Sequence, residues 1–554
     1  MMEFSAATRA GNLGRLQAEE FDLLVIGGGI TGAGIARDAA LRGFRTALIE
    51  QGDYASGTSS RSSKLIHGGL RYLENLQFRL VFEASSERRV LRRIAPHLLR
   101  PLPFLLPIGR HRSPSYSKLR AGMWLYDALS LFRNIQLHRM LGPRELLQLE
   151  PWIRSQDLVG GARFYDCGVD DARLTLATIL SAHQQGAVLV NQAQVCGLLK
   201  AKGKVRGVQV RDQIAGTELE VRARLVVNAA GPWSDRILQL DDPRSNHRLR
   251  PSKGIHLVIS REKIGSRHAV VFTSHRDDRV MFVIPWGAYL LIGTTDTDYS
   301  GELDQVYADA DDVAYVLGAF NRAFSDVRLT EEDILSTYAG LRPLAEGGAS
   351  WSYRASREHQ ILESGSGLLS IIGGKLTTYR IMARQVVDGV ARRLARESGV
   401  RPLRECETDR RPLAGGTLAG MHVLLAQEVE RAVREQGIKA EGVAPYLIGT
   451  YGVDYGRILE LVRTDPSLGR PIVPGLPYLW AEVPHAVRYE MALTLSDFMI
   501  RRTHLLFEEG RRGTEPASQV AALMARHLGW EAREMAAQVE GYRREVALTQ
   551  RYKQ

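Results

Sequence analysis

A near-continuous apolar run, Phe21-Asp22-Leu23-Leu24-Val25-Ile26, leads into Gly27-Gly28-Gly29-Ile30-Thr31-Gly32-Ala33-Gly34. Apolar runs of this kind predict a strand of a parallel sheet, because both faces of such a strand are covered. Beyond the glycines, Ala33, Ala36, Ala39 and Ala40 form a helix face of small side chains suited to packing on a sheet, and Gly43 marks the helix stop. Arg45-Thr46-Ala47-Leu48-Ile49 then reads as a second parallel strand, ending on Glu50. This strand, glycine turn, helix and strand form the phosphate-cradling unit of dinucleotide-binding domains. Gly27 permits the turn, Gly29 lets a pyrophosphate approach the main chain, and Gly32 lets the helix pack closely. The Glu50 carboxylate can accept hydrogen bonds from the hydroxyls of an adenosine ribose. By itself the motif fits NAD and FAD equally.

Further along, the pattern alternates between elements that extend this domain and elements that leave it. Residues 56–69 are polar and glycine-bearing, and 74–94 read as a charged helix. Pro96, Pro101, Pro103 and Pro107 then break any helix. A helix over 174–185, a strand over 187–190 and a β-ribbon turning near Gly203 and Gly216 lead to the apolar strand 225–230, followed by Gly231-Pro232-Trp233. Between 251 and 357, four β-type runs predict a separate antiparallel sheet: 254–260, 269–273, 280–285 and 289–293. The small apolar strand 368–372 meets Gly373-Gly374-Lys375 and opens an amphipathic helix, so the chain returns to its first domain. Beyond about Arg411 the pattern is helical.

The predicted fold is therefore α/β: a Rossmann-type dinucleotide-binding domain with an inserted antiparallel-sheet substrate domain and a C-terminal helical domain. The first is discontinuous, over 18–90, 160–250 and 358–400; substrate-binding or cap regions cover 91–159 and 251–357; the helical domain covers 405–554.

Composition excludes several function classes. The chain has 554 residues, 44% of them hydrophobic, which argues for a multidomain globular protein. Cys167, Cys196 and Cys406 are far apart and form neither a metal-ligand spacing nor a disulfide framework, in keeping with a reducing compartment. No metal site is expected: Asp296-Thr297-Asp298-Tyr299-Ser300-Gly301 imitates the start of a calcium loop, but Tyr307 stands where the loop needs a bidentate glutamate. No stretch is long and apolar enough to span a bilayer. The first twenty residues contain no continuous apolar h-region of a secretory signal. The net charge of +11 is concentrated. Arg79, Arg88, Arg89, Arg92, Arg93, Arg100, Arg110, Arg112, Lys118 and Arg120 crowd one region, interleaved with apolar runs such as Met123-Trp124-Leu125-Tyr126. Such a mixture suits either a lipid interface or a solvated helix face followed by a buried loop. No nucleic-acid-binding motif is present.

An enzyme acting on a small anion needs fixed positive charge near the reacting centre, and the arginine fork matches phosphate or carboxylate oxygens in pairs. Four cations stand out by context: Arg71 after His67-Gly68-Gly69-Leu70, Arg342 in Gly340-Leu341-Arg342-Pro343, Arg357 in Ser356-Arg357-Glu358, and Lys375 at a helix start. Taken singly, each also reads as an ordinary surface ion-pair partner. His256, entering a strand directly after Lys253-Gly254-Ile255, is the leading candidate for removing a hydroxyl proton; His67 is its competitor.

These stretches together resemble the FAD-dependent, quinone-linked glycerol-3-phosphate dehydrogenases. The resemblance is carried by the glycine turn, by Thr58-Ser59-Ser60-Arg61-Ser62-Ser63-Lys64-Leu65-Ile66-His67-Gly68-Gly69-Leu70-Arg71-Tyr72, by Tyr165-Asp166-Cys167-Gly168-Val169-Asp170-Asp171-Ala172-Arg173-Leu174, and by Ile292-Gly293-Thr294-Thr295-Asp296. Gly340-Leu341-Arg342-Pro343-Leu344 and Gly373-Gly374-Lys375-Leu376-Thr377-Thr378-Tyr379-Arg380 complete it. It implies oxidation of sn-glycerol 3-phosphate to dihydroxyacetone phosphate by hydride transfer to FAD, with electrons passed to ubiquinone. It also implies a peripheral protein on the cytoplasmic side of the inner membrane, a homo-oligomer, as a dimer, and no nucleic acid partner.

Carried over residue by residue, the resemblance puts Arg71, Tyr72, His256, Arg342, Arg357 and Lys375 at the substrate, with His256, Arg71 and Lys375 catalytic. It puts Gly27, Gly29, Thr31, Gly32, Glu50, Thr58, Ser59, Ser63, Lys64, Leu65, His67, Gly68, Gly69, Ala230, Gly231, Gly374, Lys375, Leu376 and Thr377 at FAD. Ile255 and Glu358-His359 depart from the family pattern without altering a proposed catalytic group. Two rival readings remain open: an oxidase that passes electrons to oxygen and makes peroxide, and a flavin-bearing binding protein with a basic surface.

Overall fold

A computed structural model describes residues 2–554 except 74–75, 111–114, 246, 325, 346–358, 417–421 and 439–441. Two sheets organise the chain. The first follows the order Gln360–Glu363, Leu369–Ile372, Glu218–Asn228, Glu20–Ile26, Thr46–Ile49, Val188–Val190, and the ribbon Ala193–Ala201 and Lys204–Asp212 is added through Glu218–Asn228. Its centre is parallel: Leu24 lies opposite Val226 on one side and Ala47 on the other. Leu23, Leu24 and Val25 are wholly buried, as the unbroken apolar run requires. Helices Ile30–Leu41, Asp171–Gln184 and Tyr379–Ser398 pack side by side against this sheet. The strands Glu20–Ile26, Thr46–Ile49, Glu218–Asn228 and Leu369–Ile372 all end at one edge, where the glycine turns gather.

The second sheet has the inserted strands at its heart. Leu249–Ser260 pairs antiparallel with Ile334–Ala345 along almost its whole length and with Tyr289–Gly293 on its other side, followed by Val280–Trp286 and Ala269–Thr273. The sheet then continues into strands not anticipated there. Leu99–Gly109 joins it despite carrying Pro101, Pro103 and Pro107, and Leu158–Val169 and Leu65–Ile66 follow. The prolines occupy alternate positions, so they withhold N–H groups from one edge only and leave the other edge free to pair with Leu158–Val169. Leu158–Val169 thus lies in the second sheet, although the sequence reading begins the return to the nucleotide domain at 160; the return is made by helix Asp171–Gln184.

The C-terminal region is helical, as its pattern predicts. Its helices include Val443–Tyr451, Gly456–Thr464, Glu482–Tyr489, Ala517–Leu528 and Ala532–Leu548, with a π-helical turn at Asp497–Arg502. The N-terminal helix Ala6–Ala18 is docked on the first sheet: buried Arg9 pairs with Asp212 at 2.5 Å and donates to the Asn191 and Gln192 carbonyls.

Candidate active site

Where the parallel strands end, a cavity of about 470 Å³ is bounded by the glycine turn, the loop after Glu50, Ala229-Ala230-Gly231 and Gly373-Gly374-Lys375. A Cβ on Gly32 would overlap the Gly27 carbonyl oxygen, and Gly27 has φ +108°, so both positions require glycine. Gly29 is the N-cap of helix Ile30–Leu41 and offers no side-chain cap; Ser59 Oγ accepts the Ile30 N–H at 2.9 Å. Glu50 accepts the Gly28 and Gly52 N–H groups at 2.6 and 2.8 Å, and burial raises its pKa against the effect of those two bonds. The result is a helix N-terminus beside a buried carboxylate, the arrangement that receives a pyrophosphate and a ribose.

This cavity continues into a larger one of about 1570 Å³. Thr58, Ser62, Pro343, Gly374, Lys375 and Leu376 border both. The two domains are tied at the junction, where Thr58 Oγ1 donates to the Leu341 carbonyl at 2.6 Å, and two segments of the nucleotide domain meet there, the His67 N–H donating to Thr377 Oγ1 at 3.2 Å. On the floor of the larger cavity His256, 2% exposed, has its Nε2 2.9 Å from Ser63 Oγ and its ring stacked on Tyr338 at 4.9 Å. Burial, reinforced by the charges of Arg342 and Lys64, pushes the His256 pKa down to about 3, so the imidazole is neutral. Arg342 stands beside it, held by the Thr295 carbonyl at 3.1 Å, Thr294 Oγ1 at 3.1 Å and Asp296 Oδ1 at 3.3 Å. Asp296 also accepts the Ser252 hydroxyl, and Asp298 pairs with Arg250. The residues that imitate a calcium loop are therefore committed to arginines.

The predicted site residues divide by location. Gly27, Gly29, Thr31, Glu50, Ser59, Ala230 and Gly231 line the smaller cavity; Ser63, Leu65, His67, Gly69, His256, Arg342 and Thr377 line the larger; Thr58, Gly374, Lys375 and Leu376 line both. Three residues expected at the cofactor line neither. Gly32 lies under the turn, and Gly68 is packed against Tyr126 and Arg88, its N–H donating to Asp166 at 2.9 Å. Lys64 is turned into the protein, where Nζ meets Asp171 Oδ1 at 2.6 Å beneath Trp286 and Tyr338. Breaking one side of such a buried pair costs about 3–5 kcal/mol, which gives Lys64 a structural task of its own. Arg357 lies outside the described residues, as do the side chains of Arg71 and Tyr72. Sequence reasoning gave no role to Arg61, which lines the larger cavity, or to Thr294 and Asp296, which fix Arg342. The last two do lie inside a quoted stretch, Gly293-Thr294-Thr295-Asp296, whose strand register was the missing information.

Two family models match the chain: one described as FAD dependent oxidoreductase over residues 22–380, and one described as the C-terminal domain of alpha-glycerophosphate oxidase over 406–535. Glycerol-3-phosphate dehydrogenase 2 of Mycobacterium bovis is 41% identical over 539 residues, 97% of this chain and 90% of that protein. The aerobic glycerol-3-phosphate dehydrogenase of Staphylococcus haemolyticus is 39% identical, covering 89% of this chain and 88% of its own. The crystal structure of the glycerol-3-phosphate dehydrogenase from Bacillus halodurans, complexed with FAD, superposes over 98% of both chains with a TM-score of 0.82 at 34% identity. The chain belongs to the FAD-dependent glycerol-3-phosphate dehydrogenase family. The residues present fit the family's cofactor: a dinucleotide of FAD's length needs an elongated site, and here the glycine cradle opens directly into a second chamber. The L-alpha-glycerophosphate oxidase from Mycoplasma pneumoniae shares the fold over 67% of this chain, with a TM-score of 0.54 at 18% identity.

Proposed function

We propose that this protein oxidises sn-glycerol 3-phosphate to dihydroxyacetone phosphate and passes the electrons to a membrane quinone. The observation that carries the substrate reading is the pairing of an anchored arginine with a neutral histidine in a chamber continuous with the dinucleotide cradle. FAD, when bound, supplies the two-electron acceptor for the hydride leaving the substrate's secondary carbon. Arg342, already oriented by three oxygen partners, holds phosphate oxygens through charge-assisted hydrogen bonds with little ordering cost. His256 takes the hydroxyl proton as the hydride departs, and Ser63 fixes the ring that receives it. By resemblance to the family, Lys375 and Arg71 steady the developing alkoxide or the flavin, and Arg357 shares the phosphate.

The quinone reading is supported by the remainder of the larger cavity. Away from His256 its walls turn apolar, with Leu73, Leu106, Ile108, Met123, Phe164 and Phe282, and it ends between Leu76, 72% exposed, and Leu125, 40% exposed. Phe78 and Phe82, on the helix that follows Leu76, and Trp124, next to Leu125, are exposed, and so are Arg79, Lys118 and Arg120 on the same two helices. Such a mixed apolar and cationic surface suits an anionic bilayer. Arg88 does not belong to it, since it is buried against Asp166, Tyr126 and Asn134. Among the described residues no helix is long and apolar enough to cross a membrane; the attachment proposed is peripheral, on the cytoplasmic face of the inner membrane.

Anaerobic addition of glycerol 3-phosphate to the purified yellow protein tests both parts. Bleaching of the flavin followed by stoichiometric reoxidation with a short-chain quinone is the expected outcome. A flavin that stays oxidised would overturn the substrate, and stoichiometric peroxide in air without quinone reduction would overturn the acceptor.

A further inference from the structure

The loop following strand Thr46–Ile49 supplies Glu50, Gln51, Ser56, Gly57, Thr58 and Ser59 to the smaller cavity. Its two ends are bonded locally: Glu50 accepts the Gly28 and Gly52 N–H groups, the Ala193 and Gln192 N–H groups donate to the Glu50 and Gly52 carbonyls at 2.8 Å, Thr58 Oγ1 donates to Leu341 and Ser59 Oγ accepts the Ile30 N–H. Its middle carries a further anchor that comes from far along the chain. Asp53, 2% exposed and absent from the cavity wall, accepts Arg501 Nε at 2.6 Å and Arg502 Nη1 and Nη2 at 2.7 and 2.9 Å. Burial would push the Asp53 carboxyl up, and the two guanidinium groups hold it below the usual carboxylate range.

Consecutive residues of an ordinary helix diverge, but Arg501 and Arg502 stand in the π-helical turn Asp497–Arg502 and reach one carboxylate together. Each is braced in turn. Asp497 accepts Arg501 Nη2 at 2.8 Å; Arg502 Nη2 donates to the Glu490 carbonyl at 2.8 Å, and the Glu490 carboxylate accepts Arg173 at 2.8 and 2.9 Å. The positive charge of Arg501 is also felt at Glu50, where it favours the ionised form that burial opposes.

We infer that the C-terminal helical domain acts as a retaining clamp for the cofactor, with Arg501 and Arg502 as positioning residues that hold the 50–59 loop closed through Asp53. The inference rests on FAD occupying the smaller cavity, and it gives the C-terminal domain a task that neither the substrate nor the acceptor requires.

The test is FAD dissociation from the full-length protein, followed by the recovery of flavin fluorescence on dilution. Arg502→Gln and Asp53→Asn are expected to release FAD about 10- to 100-fold faster, taking as the scale the effect of outer-shell partners on the affinity of a metal site. The KM for glycerol 3-phosphate is expected to stay unchanged when FAD is in excess. Arg393→Gln is the control: Arg393 is a buried arginine paired with Glu397 at 2.8 Å and Glu363 at 3.0 Å, away from the loop. It is expected to lower the melting temperature of the apoprotein while leaving FAD release as in the parent. Arg502→Lys, which keeps the charge and loses the fork, is expected to fold and to release FAD at an intermediate rate. Parental release rates in folded Arg502→Gln and Arg502→Lys, or equal acceleration by Arg393→Gln, would overturn the clamp. A parent protein that binds no FAD would instead overturn the cofactor reading beneath it.

Discussion

At the glycine-turn end the cradle is built from main chain: Gly27, Gly29, Ala230, Gly231, Gly373 and Gly374, arriving on three neighbouring strand ends. At the other end the wall is made of side chains, His256 and Arg342 from two paired strands, Ser63 from a loop and Lys375 from a helix approach. The first end depends on what is missing, since an added Cβ would fill it; the second depends on what each side chain carries. A main-chain cradle tolerates varied neighbours and suits a cofactor shared by many enzymes. A side-chain cluster can discriminate one small substrate, and a single truncation should disable it.

Three measurements would break or sharpen that contrast. The largest effect is expected for Gly32→Val, where the new side chain collides with the Gly27 carbonyl: the flavin-to-protein ratio after purification should fall to near zero. Next is Arg342→Ala, which removes hydrogen bonds to a charged group worth about 1.5–3 kcal/mol and so should lower kcat/KM roughly 10- to 100-fold while FAD content stays parental. If Arg342→Ala lost its flavin as Gly32→Val does, the two ends would not be separable.

The third effect is electrostatic and is confined to acid. His256 titrates at about 3 in the folded chain and near 6.5 when unfolded. Between those values the unfolded chain binds the extra proton, so stability should fall as pH drops from 6.5 towards 3 and be insensitive to this group above 6.5. Melting curves across that range should be less steep in pH for His256→Gln, and a parallel slope would remove His256 as the buried neutral base.

The main-chain end was legible because its determinants are contiguous: one strand, one turn, one helix and Glu50 lie within a single βαβ unit. The side-chain end was legible only as separate candidates. His256 and Ser63 meet across 193 positions, and Arg342 comes near because its strand register sets Ser252 opposite Arg342 and His256 opposite Tyr338. Periodicity identifies a strand but not its partner, so Thr294 and Asp296 as the supports of Arg342 could not be read. Lys64 sits in a motif whose neighbours face the cavity, and only the position of Asp171, far along the chain, shows that its side chain turns the other way. The contact of Asp53 with Arg501 and Arg502 spans 448 and 449 positions and leaves no local trace.

For Leu99–Gly109 the sequence says only that its prolines break a helix, yet those prolines shape the cavity. The strand meets Ala269–Thr273 in parallel only at Phe104 and Leu105. The next N–H that could face that neighbour belongs to position 107, which is proline, and the previous one to 103, which is also proline. The ladder must therefore unzip after Leu105, and from there Leu106, Pro107 and Ile108 on one side and Val271, Phe272 and Thr273 on the other diverge to form the apolar gallery. A missing hydrogen atom at one residue thus opens a doorway in an otherwise continuous sheet, and that doorway is held open by covalent structure.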